Sequence, residues 1–113
     1  MSELAAIAKE RKRAHTRLKN LESRVYAAFV EMEEAAFADG ALPRMHKELI
    51  AVGISVCLDC KSCMQWHIEQ AAQAGAEMRQ VLEAIEVGME MGGGCATVSA
   101  RFALEVLDDV FAA

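Results

Sequence analysis

The sequence predicts an all-α fold, a compact bundle of about five to six helices. The chain holds a single proline among its 113 residues, Pro43, and the strict apolar–polar alternation of strands is nearly absent. Apolar residues recur instead at three- and four-residue steps, which is the spacing of one helix face. The length is that of one domain, so residues 1–113 are expected to form a single folded unit.

The first half of the chain predicts two helical regions separated by residues 39–43. Residues 3–38 are expected to form one long helix or two abutting ones, and the Asp-Gly-Ala-Leu-Pro block that follows should end this region. A second helix is predicted over residues 44–57. Its stretch 49–54 is apolar on all sides, as expected of a buried helix. The apolar positions of the first region are Leu18, Leu21, Val25, Phe29 and Met32.

A third helix is predicted to follow a break near residues 57–59. Asp59 is a residue type that favours helix N-caps, so we expect it to cap this helix and to place Cys60 in the first turn. The helix should continue to about Ala74. Gly75 then provides the residue that commonly ends a helix in the left-handed conformation.

The last part of the chain predicts two more helices, over residues 77–90 and 95–111. The first has apolar residues at a period of about 3.6 residues. The glycine-rich segment 91–94 is expected to interrupt the helical structure between the two. These glycines are expected to allow close backbone approach, because no Lys-Ser/Thr pair follows them as a phosphate-binding loop requires. The residues expected to face inward in the last helix are Val98, Phe102, Val106 and Val110.

Composition narrows the possible functions and partners. The net charge of −5 argues against general nucleic-acid binding, and the basic run Lys9–Lys19 is interpreted as a solvated helix face, with a nucleic-acid or membrane patch as the weaker alternative. No apolar run reaches the ~18 residues of a membrane span and no signal peptide is visible, so a cytoplasmic location is expected. An apolar fraction of 54% predicts a homo-oligomer, because surplus apolar surface usually lies at subunit interfaces.

The most informative motif is Cys60-Lys61-Ser62-Cys63, followed four residues later by His67. On a helix, the two thiols and the imidazole share one face. An imidazole beside two thiols can hold or move the proton that converts a thiol into a nucleophilic thiolate. In a reducing compartment such a pair is more plausibly catalytic or metal-binding than a structural disulfide.

Glu48 is the expected partner of His67. The second and third helices should form an antiparallel pair about residues 57–59, which brings Glu48 roughly level with His67. A carboxylate on a largely apolar helix needs a partner, whereas at the start of the helix it would simply be solvated. We favour a relay in which Glu48 orients the imidazole and the imidazole exchanges protons with a thiol.

Metal binding is an alternative interpretation of the same residues. Cys57, Cys60, Cys63 and His67 have spacing similar to that of iron–sulfur proteins, although the surroundings favour helix and no proline follows. A zinc site would use Cys60, Cys63, His67 and either Glu48 or Cys57. Otherwise Cys57 and Cys95 are expected to be buried residues without a chemical role.

The spacing Glu48, eleven residues, Cys60-x-x-Cys63, three residues, His67 resembles the motif of the alkylhydroperoxidase D-like proteins in the carboxymuconolactone decarboxylase family. Further likeness lies in residues 35–42, 47–51, 66–67, 74–76 and 91–94, and the resemblance covers about residues 25–105. Cys95 departs from the proline that relatives often carry after the glycines, and Cys57 adds a third nearby thiol.

The resemblance implies an all-α enzyme that assembles into trimers or hexamers and reduces hydroperoxides. It implies attack by Cys63, resolution by Cys60 and a Glu48–His67 relay, with a thioredoxin-like or lipoylated protein as reductant and no cofactor or metal. Position nearest the helix start would instead favour Cys60 as the more acidic thiol. Family members acting as decarboxylases typically lack the cysteine pair. A general disulfide reductase and a redox-sensing or metal-binding oligomer are the remaining alternatives.

Overall fold

The computed structural model describes residues 2–112, which contain six α-helices and no strand. The prediction of an all-α fold is therefore confirmed within this range. None of the described helices is long and apolar enough to cross a membrane. The helices are α1 (Glu3–Asn20), α2 (Arg24–Phe37), α3 (Arg44–Leu58), α4 (Lys61–Gln73), α5 (Met78–Gly92) and α6 (Gly94–Val110).

The first helical region is two helices rather than one. Glu22 has a φ of 56°, a left-handed conformation that an α-helix cannot contain, so the chain turns between α1 and α2. The hydroxyl of Ser23 then accepts a hydrogen bond from the backbone N–H of Tyr26 at 3.1 Å and caps α2. This capped turn directs α2 away from α1 and leaves a cleft between the two helices.

The junction between α3 and α4 differs from the prediction. Asp59 does not cap α4; it ends α3 in the left-handed conformation, with a φ of 53°. Cys60 takes the cap position instead, and its sulfur accepts the backbone N–H of Cys63 at 3.3 Å. The prediction was wrong because Asp is also one of the residues that most readily adopts the left-handed conformation. Asp59 adopts it to end α3, so the next residue, Cys60, is left to cap α4. Cys60 consequently precedes the first turn of α4, while the predicted end at Gly75 is confirmed by its φ of 101°.

The core lies among α3, α4, α5 and α6. Its most deeply buried members include Val52, Met64, Ile68, Ile85 and Val106, each at most 1% exposed. Helices α3 and α5 approach closely because both carry glycine where they meet. A Cβ on Gly88 would lie 2.6 Å from the carbonyl oxygen of Gly53, well inside normal contact. Helices α3 and α4 are thus held within a closely packed four-helix core.

The break between α5 and α6 is shorter than the predicted segment 91–94. Helix α5 continues to Gly92 and α6 begins at Gly94, so Gly93 alone separates them. Its φ of 74° is the conformation that glycine accepts without strain. Gly92 has the predicted role of allowing close approach, since a Cβ there would lie 2.5 Å from Ala96 Cβ.

Many large apolar side chains remain exposed. Within α6, the prediction that Val98 faces inward was wrong: it is 53% exposed, whereas Phe102 and Val106 are buried. In α2, Val25, Phe29 and Met32 are also exposed, because α2 packs on the edge of the four-helix core instead of entering it. Other exposed apolar residues lie on α3 and α5. The exposed set includes Leu21, Val25, Phe29, Met32, Ile50, Ile54, Leu58, Val87 and Met91.

Candidate functional site

Cys60 and Cys63 form a disulfide at the start of α4. Their Cα atoms are 5.2 Å apart, within the range that disulfides require. The geometry follows from the cap: one turn of helix separates the N-cap residue from Cys63, so the two side chains meet. The sequence therefore places the two sulfurs close enough to form a disulfide.

Glu48 and His67 are hydrogen-bonded across the α3–α4 pair, as predicted. Oε1 of the carboxylate lies 2.7 Å from Nδ1 of the imidazole, and Glu48 is only 3% exposed. An Nδ1–H donated to this carboxylate leaves Nε2 as the nitrogen that can accept a proton from another group. Because α4 places His67 one turn after Cys63, the imidazole and the thiol share a helix face.

Two residues that sequence reasoning missed hold this pair in place. Nε of Arg44 lies 3.6 Å from Oε2 of Glu48, while another nitrogen of the same guanidinium contacts Oε1 of the buried Gln70. Phe37, from the end of α2, stacks on the His67 ring with centroids 5.2 Å apart and planes inclined by 22°. The carboxylate is therefore oriented from both sides, and the imidazole is restrained on one face.

A cleft of about 620 Å³ lies between α1, α2 and α4, and both Cys63 and His67 line it. Its walls are mainly apolar and aromatic, with Tyr26, Phe29 and Trp66 among them. Of the two disulfide cysteines, Cys63 is the one that lines this cleft. A substrate in the cleft would therefore reach Cys63 and His67 together.

Helix α1 covers the first turns of α4 through polar contacts. Nη1 of Arg11 donates to Oε1 of the buried Gln65 at 3.0 Å, and the guanidinium lies 5.0 Å from the centre of the Trp66 ring. Lys61 makes an ion pair with Glu3 that raises the pKa of the lysine, first through the hydrogen bond and then through the opposite charge. These contacts fix the cleft wall formed by α1.

The two remaining cysteines are both exposed, so the prediction that they are buried was wrong. The thiol of Cys57 donates to the carbonyl oxygen of Gly88 at 3.2 Å, on the side where α3 meets α5. Among residues 2–112 no three His, Cys, Asp or Glu side chains are grouped as a metal site requires. The zinc and iron–sulfur interpretations thus have no ligand cluster in the described range.

Comparison with known proteins shows the family to which this chain belongs. The model of the carboxymuconolactone decarboxylase family matches residues 23–106, which include all four predicted site residues. The chain belongs to the carboxymuconolactone decarboxylase family. Two proteins of similar sequence support this: protein 4 of the cox locus of Paracoccus denitrificans is 41% identical over 83 residues, which are 74% of this chain and 75% of that protein. A protein of Cupriavidus necator is 39% identical over 82 residues, 73% of each. Both are uncharacterized.

Solved structures of carboxymuconolactone decarboxylase family proteins share this fold. One from Legionella pneumophila superposes with a TM-score of 0.90 at 26% identity, covering 97% of this chain and 98% of the other. One from Thermotoga maritima superposes with a TM-score of 0.83 at 22% identity, covering 93% and 89%. The predicted fold and family resemblance are therefore confirmed.

Proposed function

We propose that this family member is a thiol-dependent peroxidase that cycles Cys60 and Cys63 between dithiol and disulfide. The observation that supports this best is the joint position of Cys63 and His67 on one cleft, with Glu48 hydrogen-bonded to the imidazole. Family membership supports an enzyme of the decarboxylase or peroxidase-like class. The cysteine pair favours the second, because a disulfide cycle needs two adjacent thiols.

The proposed cycle begins with proton transfer from the Cys63 thiol to His67. The thiolate attacks the outer oxygen of the hydroperoxide, the O–O bond breaks, and the alkoxide leaves as the alcohol after taking a proton. Cys63 is then a sulfenic acid. The Cys60 thiol displaces its hydroxyl group, which forms the disulfide and releases water.

Glu48 and His67 act in this cycle as a proton relay. The buried carboxylate stabilises the imidazolium formed when His67 takes the thiol proton, and the imidazolium can return a proton to the leaving alkoxide. Cys63 is assigned as the attacking thiol because it lines the cleft, although the capping position of Cys60 also provides a backbone N–H near its sulfur. Cys60 is assigned as the resolving thiol.

A dithiol must return two electrons and two protons to the disulfide in each turnover. We propose a thioredoxin-like or lipoylated protein as this reductant, in a cytoplasmic setting where such dithiols are kept reduced. We also propose a homo-oligomer, a trimer or hexamer, whose contacts cover the exposed apolar residues of α3 and α5.

Peroxide consumption with dithiothreitol as electron donor tests the proposal. Cys60→Ser and Cys63→Ser should each abolish turnover, and Cys60→Ser should accumulate a Cys63 sulfenic acid that dimedone labels. Cys57→Ser serves as the matched control, since Cys57 lies at the α3–α5 contact, and it should retain turnover. Full activity in both single cysteine variants would refute the proposal. Lactone decarboxylation that survives in the Cys60/Cys63 double variant would support the decarboxylase alternative.

A further inference from the structure

The basic run of α1 contributes directly to the cleft that contains Cys63. Arg11, Lys12, His15 and Thr16 all line it, so the run is more than a solvated face. Arg13 points elsewhere and pairs with Glu10 on the exposed surface. The cleft therefore combines Cys63 with positive charge from a single helix.

The basic side chains of the cleft differ in how many contacts they already make. Arg11 bonds to Gln65 and lies 4.0 Å from a carboxylate oxygen of Glu69, and Nδ1 of His15 is 2.5 Å from the hydroxyl oxygen of Tyr26. Lys12 takes part in none of the ion pairs found among residues 2–112. Lys12 is thus the cation most available to an incoming anion.

The rest of the cleft suits an apolar chain. Tyr26, Phe29, Val30 and Trp66 supply apolar wall, and about 620 Å³ lies within the range of roughly 300–1,000 Å³ typical of small-molecule sites. A second cavity of about 600 Å³ shares Tyr26, Val30 and His15 with the first, so the groove extends along α2. The carboxylate of Glu33 lines the first cavity from α2, and its negative charge reduces the attraction of the cavity for an anion.

We propose that this cleft selects hydroperoxides of acyl-chain carboxylic acids. The chain lies along the apolar wall, the carboxylate pairs with Lys12, and the hydroperoxy group reaches Cys63. This inference rests on the peroxidase proposed above. In the reaction the outer peroxide oxygen passes to the Cys63 sulfur, the product is the hydroxy acid, and a dithiol donor later reduces the disulfide. The carboxylate itself is unchanged.

Binding can be measured without any peroxide chemistry, because Trp66 is the only tryptophan and lines the cleft. Its fluorescence would be titrated with decanoate and with decyltrimethylammonium, which have chains of similar length and opposite charge. Decanoate should bind more tightly. Lys12→Gln should weaken decanoate binding about three- to fivefold, the effect of a solvent-screened ion pair, and added salt should have a similar effect. Glu33→Gln should strengthen it.

Lys9→Gln is the matched control, because it removes a charge from an exposed position of the same helix that does not line the cleft. It should leave decanoate binding unchanged. Equal affinity for the two ligands, or a decanoate preference that Lys12→Gln and Lys9→Gln reduce equally, would overturn the inference. Absent binding of both, as when a second copy of the chain fills the cleft, would also overturn it. Failure of Cys63 to react with any hydroperoxide would instead refute the peroxidase proposal, which the binding titration does not test.

Discussion

Replacing Glu48 with glutamine removes one negative charge beside His67 while almost keeping the size of the side chain. The amide oxygen can still accept a hydrogen bond from Nδ1, so the ring should stay in place. What is lost is the charge that stabilises the imidazolium, at a residue that is 3% exposed and little screened by water. Glu48→Gln therefore tests the effect of the negative charge while the His67 ring keeps its position.

The expected size of the effect follows from that hydrogen bond. A hydrogen bond to a charged group contributes about 1.5–3 kcal/mol and a neutral one about 0.5–1.5 kcal/mol, so losing the charge while keeping the hydrogen bond should cost about 1–1.5 kcal/mol in the transition state, a rate decrease of roughly 5- to 13-fold. Stability should change by about 1 kcal/mol or less, because the Arg44 side chain is 41% exposed and water can hydrate it once its partner is neutral.

The assay is the rate at which reduced protein forms the Cys60–Cys63 disulfide with tert-butyl hydroperoxide, measured by quenching with an alkylating agent. Glu86→Gln is the control, since it makes the same chemical change at an exposed position of α5. Thermal unfolding of each variant checks that the fold persists. A folded Glu48→Gln protein that reacts within twofold of the unmodified chain would refute the relay.

Three further predictions concern packing, charge and assembly. Gly88→Ala should lower the free energy of unfolding by about 1–3 kcal/mol in chemical denaturation because its Cβ would overlap the Gly53 carbonyl, whereas Gly94→Ala, with open space around its Cβ, should not destabilise; equal effects would contradict the packing argument. Lys61→Gln should lower the free energy of unfolding at neutral pH but not at strongly alkaline pH. The raised pKa of Lys61 stabilises the fold below the ordinary lysine pKa of about 10.4, and this effect is lost as the pH rises through the raised pKa. A difference in stability that does not depend on pH would exclude the Glu3 ion pair as its source. Val87→Glu should reduce the mass of the assembly in analytical ultracentrifugation without unfolding the protein, since Val87 is 62% exposed; an unchanged mass would place the subunit contact elsewhere.

The Glu48–His67 pair was predictable because it depends on helix arithmetic. Two helices joined by a short reversal run antiparallel, so residues at similar distances from the reversal meet, and a carboxylate among apolar residues needs a partner. Arg44 carried a sequence signal that was overlooked: it precedes Glu48 by four residues, the spacing of a helical ion pair. The contact of Phe37 with His67 had no such signal, because it depends on how α2 packs across a 30-residue separation.

The local structure around Cys60 was not predictable from residue preferences. Asp59 and Cys60 are adjacent, and which of them caps α4 depends on the left-handed reversal that ends α3. The exposure of the apolar residues Val25, Phe29 and Met32 of α2 could not be predicted either. Helical periodicity shows that residues share a face but not what covers that face. Val98 illustrates the same limit within α6, where its spacing from Phe102 matched a core position.

In the proposed cycle, Cys63 reacts with a hydroperoxide and Cys60 closes the disulfide. The most direct test is to treat reduced protein with one equivalent of tert-butyl hydroperoxide, alkylate the remaining thiols, and map the peptides by mass. The proposed cycle yields a Cys60–Cys63 disulfide with Cys57 and Cys95 alkylated, and in Cys60→Ser it leaves an oxidised Cys63. Four alkylated cysteines after peroxide treatment would contradict it.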